Sequence, residues 1–163
     1  MAVTVRQAQA DDLPTIRAIY NDGIEEREAT LETDPKSIEE IAEWWSQHGA
    51  RHCVLVAADS ESVVGWASLN RFSHRCAHAG IADVSVYVAR GQRGRGVGLA
   101  LLRRLTEEAR ANGFHKIVLH ALDVNERGKR LYRRAGFTEV GIFREHGRLG
   151  DRFVDVIAME LLL

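Results

Sequence analysis

The chain has 163 residues, a length that suits one domain with a sizeable hydrophobic core. Hydrophobic residues make up 45% of it and charged residues 28%, which are ordinary values for a soluble globular protein. The net charge of −1 excludes the strongly basic surface with which proteins bind nucleic acids or anionic membranes.

The lack of targeting signals in the sequence and its low cysteine content indicate a cytoplasmic protein. The sequence has no signal peptide and no apolar run long enough to span a bilayer. Its two cysteines, Cys53 and Cys76, suggest neither a disulfide framework nor a metal site. We therefore expect a cytoplasmic protein without nucleic-acid or membrane partners.

The first quarter of the chain predicts a strand and two helices. Residues 3–6 form the strand, and residues 11–12 offer an aspartate cap for a helix that carries Pro14 in its first turn. After a loop at 29–36, the capping box Ser37-x-x-Glu40 opens a second helix that ends by Gly49. Its buried side is predicted to carry Ile38, Ile41, Trp44 and Trp45.

The remainder predicts six further strands and two helices. Strands at 52–57 and 63–70 join through a polar turn, and a loop at 71–80 leads to a central strand beginning at Ile81. The later elements are a long helix ended by Gly113, a strand at 116–122, a short helix at 125–135, and strands at 137–144 and 153–161. With no repeat and no linker, we predict one domain, residues 1–163.

A glycine-rich turn, residues 91–98, joins the central strand to the long helix. Such turns leave backbone N–H groups unpaired at a helix N-terminus, where they favour an anion such as a phosphate. The turn lacks the Gly-Lys-Ser/Thr of a P-loop, and Leu99 stands where a dinucleotide fingerprint needs its third glycine. The alternative is a turn that only connects two elements.

Residues 93–98 of this turn match the pattern R/Q-x-x-G-x-G/A. The match resembles the acetyl-CoA pyrophosphate turn of the GNAT superfamily of N-acetyltransferases. The predicted order β-α-α-β-β-β-α-β-α-β-β is also that of the GNAT fold, an α/β protein with a mixed sheet. Several segments are similar, more narrowly, to the phosphinothricin acetyltransferase group: residues 19–24, 29–33, 65–68, 85–88 and 131–137.

The resemblance implies an enzyme that transfers acetyl from acetyl-CoA to the free amine of a small amino-acid-like acceptor. Phosphinothricin, methionine sulfoximine and methionine sulfone are acceptors of that group. Arg93 and Arg95 would add charge near the phosphates, unless they are ordinary solvated turn residues. The residues implied in acetyl-CoA binding are Val86, Tyr87, Val88, Arg93, Gly94, Arg95, Gly96, Val97, Gly98, Leu99 and Asn125.

Two residues are candidates for the chemistry, because acetyl transfer needs a deprotonated amine and a proton for the departing thiolate. Asp83 falls at the position where the phosphinothricin group usually has a glutamate base, one methylene longer. Tyr132, seven residues after Asn125, matches the tyrosine acid of the wider superfamily. Asp83 could instead pair with Arg75 or a histidine, Tyr132 could simply pack on the core, and Asn125 could be a helix cap.

The acceptor pocket is implied at the loops after the first helix and before the central strand, which points to Thr30, Leu31, Phe72 and Arg75. Arg75 could grip a substrate carboxylate or be a surface residue. No metal is expected, because His74, Cys76 and His78 lie on one unanchored loop.

The C-terminal run of residues 150–156 departs from the narrow group's Gly-x-Trp-x-Asp-Val by one residue and lacks its Trp. Two other functions stay open: acetylation of a protein N-terminus, lysine or polyamine, and non-catalytic acetyl-CoA binding. The resemblance also implies a homodimer, and we expect Trp44, Trp45 and the apolar residues 153–163 to supply hydrophobic surface for it.

Overall fold

The computed structural model describes residues 2–163 and has the predicted order of elements. Its four helices are α1 (Leu13–Glu26), α2 (Ile38–Ser46), α3 (Val97–Ala111) and α4 (Glu126–Arg134). Its seven strands are β1 (Thr4–Gln7), β2 (Val54–Ala58), β3 (Val63–Arg71), β4 (Ile81–Val88), β5 (Lys116–Leu122), β6 (Thr138–Leu149) and β7 (Arg152–Leu162). Among residues 2–163, no helix combines the length and the apolar character needed to cross a bilayer.

All seven strands form one mixed sheet in the order β1-β2-β3-β4-β5-β7-β6. Every neighbouring pair is antiparallel except β4 and β5, which run parallel. That parallel pairing covers only three residue pairs and ends at Asp83 opposite Val118. Both strands continue beyond it, so they separate and leave an opening in the middle of the sheet.

Helices cover both faces of the sheet, and alternation along the strands assigns each residue to a face. On one face, Leu101 and Leu105 of α3 pack in a cluster with Ala82 and Val84 of β4. On the other, α1 and α2 pack on Trp66 of β3, with Tyr20 and Tyr87 against the same cluster. Asp83, Ser85 and Tyr87 therefore belong to the face that α1 and α2 cover.

The capping box at the start of α2 is confirmed: the Glu40 N–H donates to Ser37 Oγ (3.1 Å), and the Ser37 N–H donates to Glu40 Oε2 (2.8 Å). The aspartate cap of α1 is wrong in detail. Asp12 precedes α1 but accepts from the Gln9 N–H (2.8 Å) and pairs with Arg6 (2.8 Å), so its carboxylate ties β1 to a short 3₁₀ turn instead.

Two predictions about hydrophobic surface also need correction. Ile38, at the first position of α2, is 39% exposed, while Trp44 and Trp45 are half-buried. The final strand is buried or half-buried except at its two ends, where Phe153 and Leu162 are the strongly exposed apolar residues. Three of the nine exposed large apolar residues within residues 2–163 lie on β6, which is longer than predicted and forms one edge of the sheet. Its exposed apolar residues are Val140, Ile142 and Phe143.

Candidate active site

A cavity of about 660 Å³ occupies the place where β4 and β5 separate. Its walls come from six parts of the chain: the end of α1 with the following loop, β4, the glycine turn with the start of α3, β5, α4 with Asn125 before it, and Val156 of β7. The opening in the sheet thus connects a potential anion site at the glycine turn to Asp83 and the loop after α1.

The glycine turn has the geometry of an anion cradle. Gly94 and Gly96 have φ of +74° and +84°, which non-glycine residues rarely adopt, and a Cβ on either would meet nothing within 4 Å. Gly96 is the N-cap of α3, and no side chain caps that helix. The first N–H groups of α3 therefore face open space, together with the positive end of the helix dipole.

Gly98, unlike Gly94 and Gly96, is needed for packing, because a Cβ there would lie 2.9 Å from Leu131 Cδ2. Glycine at this position lets the first turn of α3 approach α4 closely. The turn thus needs its last glycine for packing and its first two for open space and backbone conformation.

The two arginines of the turn differ in their surroundings. Arg93 donates to both carboxylate oxygens of Glu26 at the end of α1 (2.6 and 2.9 Å) and to the carbonyl of Val88 (3.1 Å). The same ion pair lowers the pKa of Glu26. Arg95 is exposed, bonds only Gln92 (3.4 Å), and does not line the cavity. Arg93 therefore fixes the turn to α1, and the structure does not bring Arg95 to the cavity.

The edge of β4 along the opening offers backbone groups. Ala89 donates its N–H to Val64 on β3 (2.8 Å), and alternate residues of a strand direct their backbone groups to opposite edges. Val86 and Val88 therefore direct theirs toward the opening. Their side chains pack on the α3 face of the core, so the backbone is what they contribute to the cavity.

Asp83 lies at the bottom of the opening, on the last β4–β5 pair. Its carboxylate accepts a hydrogen bond from Asn70 Nδ2 (3.2 Å). Burial raises its pKa, and the Asn70 hydrogen bond and the nearby His120 partly oppose that increase. The carboxylate makes no ion pair with Arg75 within residues 2–163, so it is available as a base of more than ordinary strength.

Tyr132 of α4 lines the same cavity. Burial, and then the charge of Asp83, raise its pKa, so the hydroxyl keeps its proton at neutral pH. Asn125 caps α4 by accepting from the Gly128 N–H (2.9 Å) and also lines the cavity. Capping occupies the Asn125 carbonyl oxygen and leaves its NH₂ group for a ligand.

Sequence reasoning missed two sets of charged side chains on the cavity wall. His120 of β5 faces Asp83 across the opening, and α4 contributes three arginines. The arginines could have been found from the spacing of one helix face, whereas nothing in the sequence shows that His120 borders the gap. The three arginines are Arg127, Arg130 and Arg134.

The four predicted acceptor residues do not come together. Thr30 and Leu31 line the cavity, whereas Phe72 and Arg75 are absent from its walls. The ring of Phe72 instead packs against His78 within its own loop (centroids 5.3 Å apart). A second cavity of about 350 Å³ lies under α1 and α2 and shares Ser85 and Tyr87 with the first. No group of three or more His, Cys, Asp or Glu suited to a metal is found within residues 2–163.

Comparison with known proteins identifies this architecture. The family model described as Acetyltransferase (GNAT) family matches residues 15–137. The phosphinothricin N-acetyltransferase of Streptomyces coelicolor is 33% identical over 158 residues, 94% of this chain and 92% of its own length. The L-methionine sulfoximine/L-methionine sulfone acetyltransferase of Pseudomonas aeruginosa is 34% identical over 165 residues, 100% of this chain and 96% of its own.

Solved structures agree with the sequence relatives. The GNAT superfamily phosphinothricin acetyltransferase of Sinorhizobium meliloti, in complex with acetyl-CoA, superposes with a TM-score of 0.95 at 30% identity, covering 100% of this chain and 89% of that one. The predicted family and fold are thereby confirmed. The chain is an N-acetyltransferase and belongs to the GNAT family.

Proposed function

We propose that this protein transfers the acetyl group of acetyl-CoA to the amine of a small amino-acid-like acceptor of the phosphinothricin or methionine sulfoximine type. The observation that carries the proposal is the single cavity that joins the glycine turn, the β4 edge, Asp83, Tyr132 and the loop after α1. The names of the sequence relatives support the acceptor class.

The anionic end of acetyl-CoA is proposed to bind at the glycine turn. The N–H groups at the start of α3 would hold the pyrophosphate, with Gly94 and Gly96 leaving room for it. The arginines of α4 add positive charge to the same cavity. Because Arg93 is held by Glu26, it shapes the turn rather than acting as a mobile phosphate ligand.

The acyl arm is proposed to enter the opening beside β4. Backbone groups of Val86 and Val88 face this space and are suited to pair with amide groups of the arm, as a neighbouring strand would. A backbone N–H near Val88 would also stabilise the negative charge that develops on the acetyl oxygen.

Asp83 is proposed to take the proton from the acceptor ammonium. Its raised pKa makes it a better base than an exposed aspartate, and Thr30 and Leu31 place the predicted acceptor loop on the same cavity. Since aspartate is one methylene shorter than glutamate, we propose that the proton passes through one bridging water.

Tyr132 is proposed to give its proton to the departing thiolate. Burial and, second to it, the charge of Asp83 raise the pKa of Tyr132, so an ionised Asp83 holds back that proton. Once Asp83 has accepted the proton of the acceptor, its charge is neutralised and Tyr132 becomes a stronger acid. The two groups would therefore act in order, first the base and then the acid.

We further propose that residues 1–163 act as one domain in the cytoplasm and assemble as a homodimer. Exposed apolar side chains on the edge strand β6 and at the start of β7 support this assembly, because a second copy of the chain could cover them. Phe153 is 62% exposed and Val140 61%.

A direct test is an acetylation screen of the purified protein, read as CoA release from acetyl-CoA. Phosphinothricin, methionine sulfone and free amino acids form one group of amines, and polyamines, lysine peptides and peptides with free N-termini form the other. The proposal expects turnover with members of the first group. Turnover confined to the second group would overturn the acceptor class.

A further inference from the structure

Asn70 of β3 stands opposite Asp83 of β4 in the sheet register, and its side-chain amide is fully hydrogen-bonded. Its oxygen accepts from Ser68 Oγ (2.9 Å) and lies 2.9 Å from His48 Nε2. Its nitrogen donates to Asp83 Oδ2 (3.2 Å) and Ser85 Oγ (3.0 Å). An amide has two acceptor and two donor positions, so all four are used.

His48, just beyond α2, anchors this amide. Its Nδ1 lies 2.8 Å from the carbonyl oxygen of Trp44, and its Nε2 lies 2.9 Å from the oxygen of Asn70. One ring nitrogen thus contacts α2 and the other contacts the Asn70 side chain, while Ser68 Oγ donates to the same Asn70 oxygen. His48 and Ser68 therefore hold the Asn70 side chain beside Asp83.

We infer that Asn70 and His48 are positioning residues for the base, with Asn70 holding one carboxylate oxygen of Asp83 and His48 holding Asn70. The inference rests on the proposed role of Asp83. No other side chain within residues 2–163 donates a hydrogen bond to this carboxylate. The Asn70 amide thus fixes Oδ2 of Asp83 at the bottom of the opening. Asp83, although shorter than a glutamate, therefore has a defined position there.

The same contact favours the charged form of Asp83, since a donor stabilises a carboxylate and not a carboxylic acid. Burial acts in the opposite direction, and the other titratable groups near this carboxylate are His120 of β5 and Tyr132 of α4. Without the Asn70 amide, one of the contacts that counter the effect of burial is lost, so the pKa of Asp83 rises. Asn70 therefore both orients the Asp83 carboxylate and favours its ionised form.

The decisive measurement needs no acceptor. The carboxyl carbon of Asp83 is titrated by ¹³C NMR in the full-length protein, with its signal identified by loss in Asp83→Asn. The midpoint is expected to move to higher pH in Asn70→Ala and in His48→Ala. It should stay near the parent value in His48→Gln, which keeps an N–H donor toward Asn70.

A matched control is Asn112→Ala, which removes another asparagine that ties two segments together, by donating to the carbonyls of Ala50 and Arg51 (3.0 and 3.1 Å), and that does not hydrogen-bond the Asp83 carboxylate. It should lower stability without moving the midpoint. An unchanged midpoint in Asn70→Ala, with the fold intact by circular dichroism, would overturn the inference. A shift in Asn70→Ala but none in His48→Ala would remove His48 from it.

Kinetics with methionine sulfone as the probe amine separate this inference from the proposed function. Asn70→Ala should lower kcat/KM about 10-fold in the parent protein, because the freed carboxylate loses its alignment with the acceptor and this loss outweighs its higher basicity. It should cause no further loss in Asp83→Asn, because its effect passes through that carboxylate. An equal loss in both backgrounds would contradict the inference. Full activity in Asp83→Asn would instead refute the base, while the NMR titration still decides the positioning.

Discussion

Gly96→Asp is the sharpest test of the anion cradle. At this N-cap position an aspartate side chain would reach the first N–H groups of α3, the groups proposed to hold the pyrophosphate. It would also set a negative charge beside the phosphates. Loss of two charge-assisted hydrogen bonds at about 1.5 kcal/mol each weakens binding by about 3 kcal/mol, or roughly 150-fold.

Gly113→Asp is a matched control for this substitution. Gly113 follows the other end of α3 with the same φ of +84° and nothing within 4 Å of a Cβ. Both variants therefore pay a similar cost for a left-handed aspartate, about 1 kcal/mol. Gly98→Asp is a poor test, because its side chain would collide with Leu131 and disturb the packing of α3 on α4.

Isothermal titration calorimetry with acetyl-CoA gives the affinity, and thermal unfolding gives the stability of each variant. We expect Gly96→Asp to lose affinity and Gly113→Asp to bind like the parent. Parent-like affinity in Gly96→Asp, or an equal loss in both variants, would show that the turn does not hold the phosphates.

Four further outcomes can be measured. Tyr132→Phe should lower kcat about 100-fold with little change in the KM for acetyl-CoA, since the proton is needed only as the thiolate leaves; intact kcat would make Tyr132 a packing residue. Asp83→Asn should lower kcat/KM about 100-fold at pH 7, with a deficit that shrinks as pH rises and the amine deprotonates unaided; a pH profile that overlays the parent would leave the base unassigned. Glu26→Gln should lower stability at neutral pH, and the difference should vanish on acidification, because the folded state lowers the pKa of Glu26 and its contribution is lost as that carboxylate takes up a proton; a constant difference across the pH range would contradict the ion pair's role. Light scattering should give about 36 kDa, twice the 18.2 kDa chain, and a mass near 18 kDa would refute the dimer.

The sequence predicted the elements well because their signals are local. Periodicity placed the strand at 116–122 at its observed bounds, and the Ser37–Glu40 capping box set the start of α2. It failed where a boundary depends on a partner strand. The strand predicted at 137–144 runs on to Leu149 because pairing with β7 resumes at residues 147–149 after an irregular stretch, which only the folded hairpin reveals.

The candidate site shows the same difference between residues with local signals and residues placed only by the folded structure. Asp83 and Tyr132 could be placed because each sits at a fixed offset from a recognisable element, and both lie on the cavity. Phe72 and Arg75 belong to a loop whose path no local pattern determines, and that path leads away from the cavity. The contact between His48 and Asn70 joins residues 22 positions apart, so it exists only once α2 has packed on the sheet.

The short β4–β5 pairing has a mechanical consequence. Three residue pairs join a four-stranded half-sheet, β1 to β4, to a three-stranded one, β5 to β7. A ligand arm that lies in the opening and is hydrogen-bonded to the β4 edge would bridge the two halves of the sheet. Part of its binding free energy would then stabilise the attachment of the two halves to each other and slow amide hydrogen exchange in β6, which does not line the cavity.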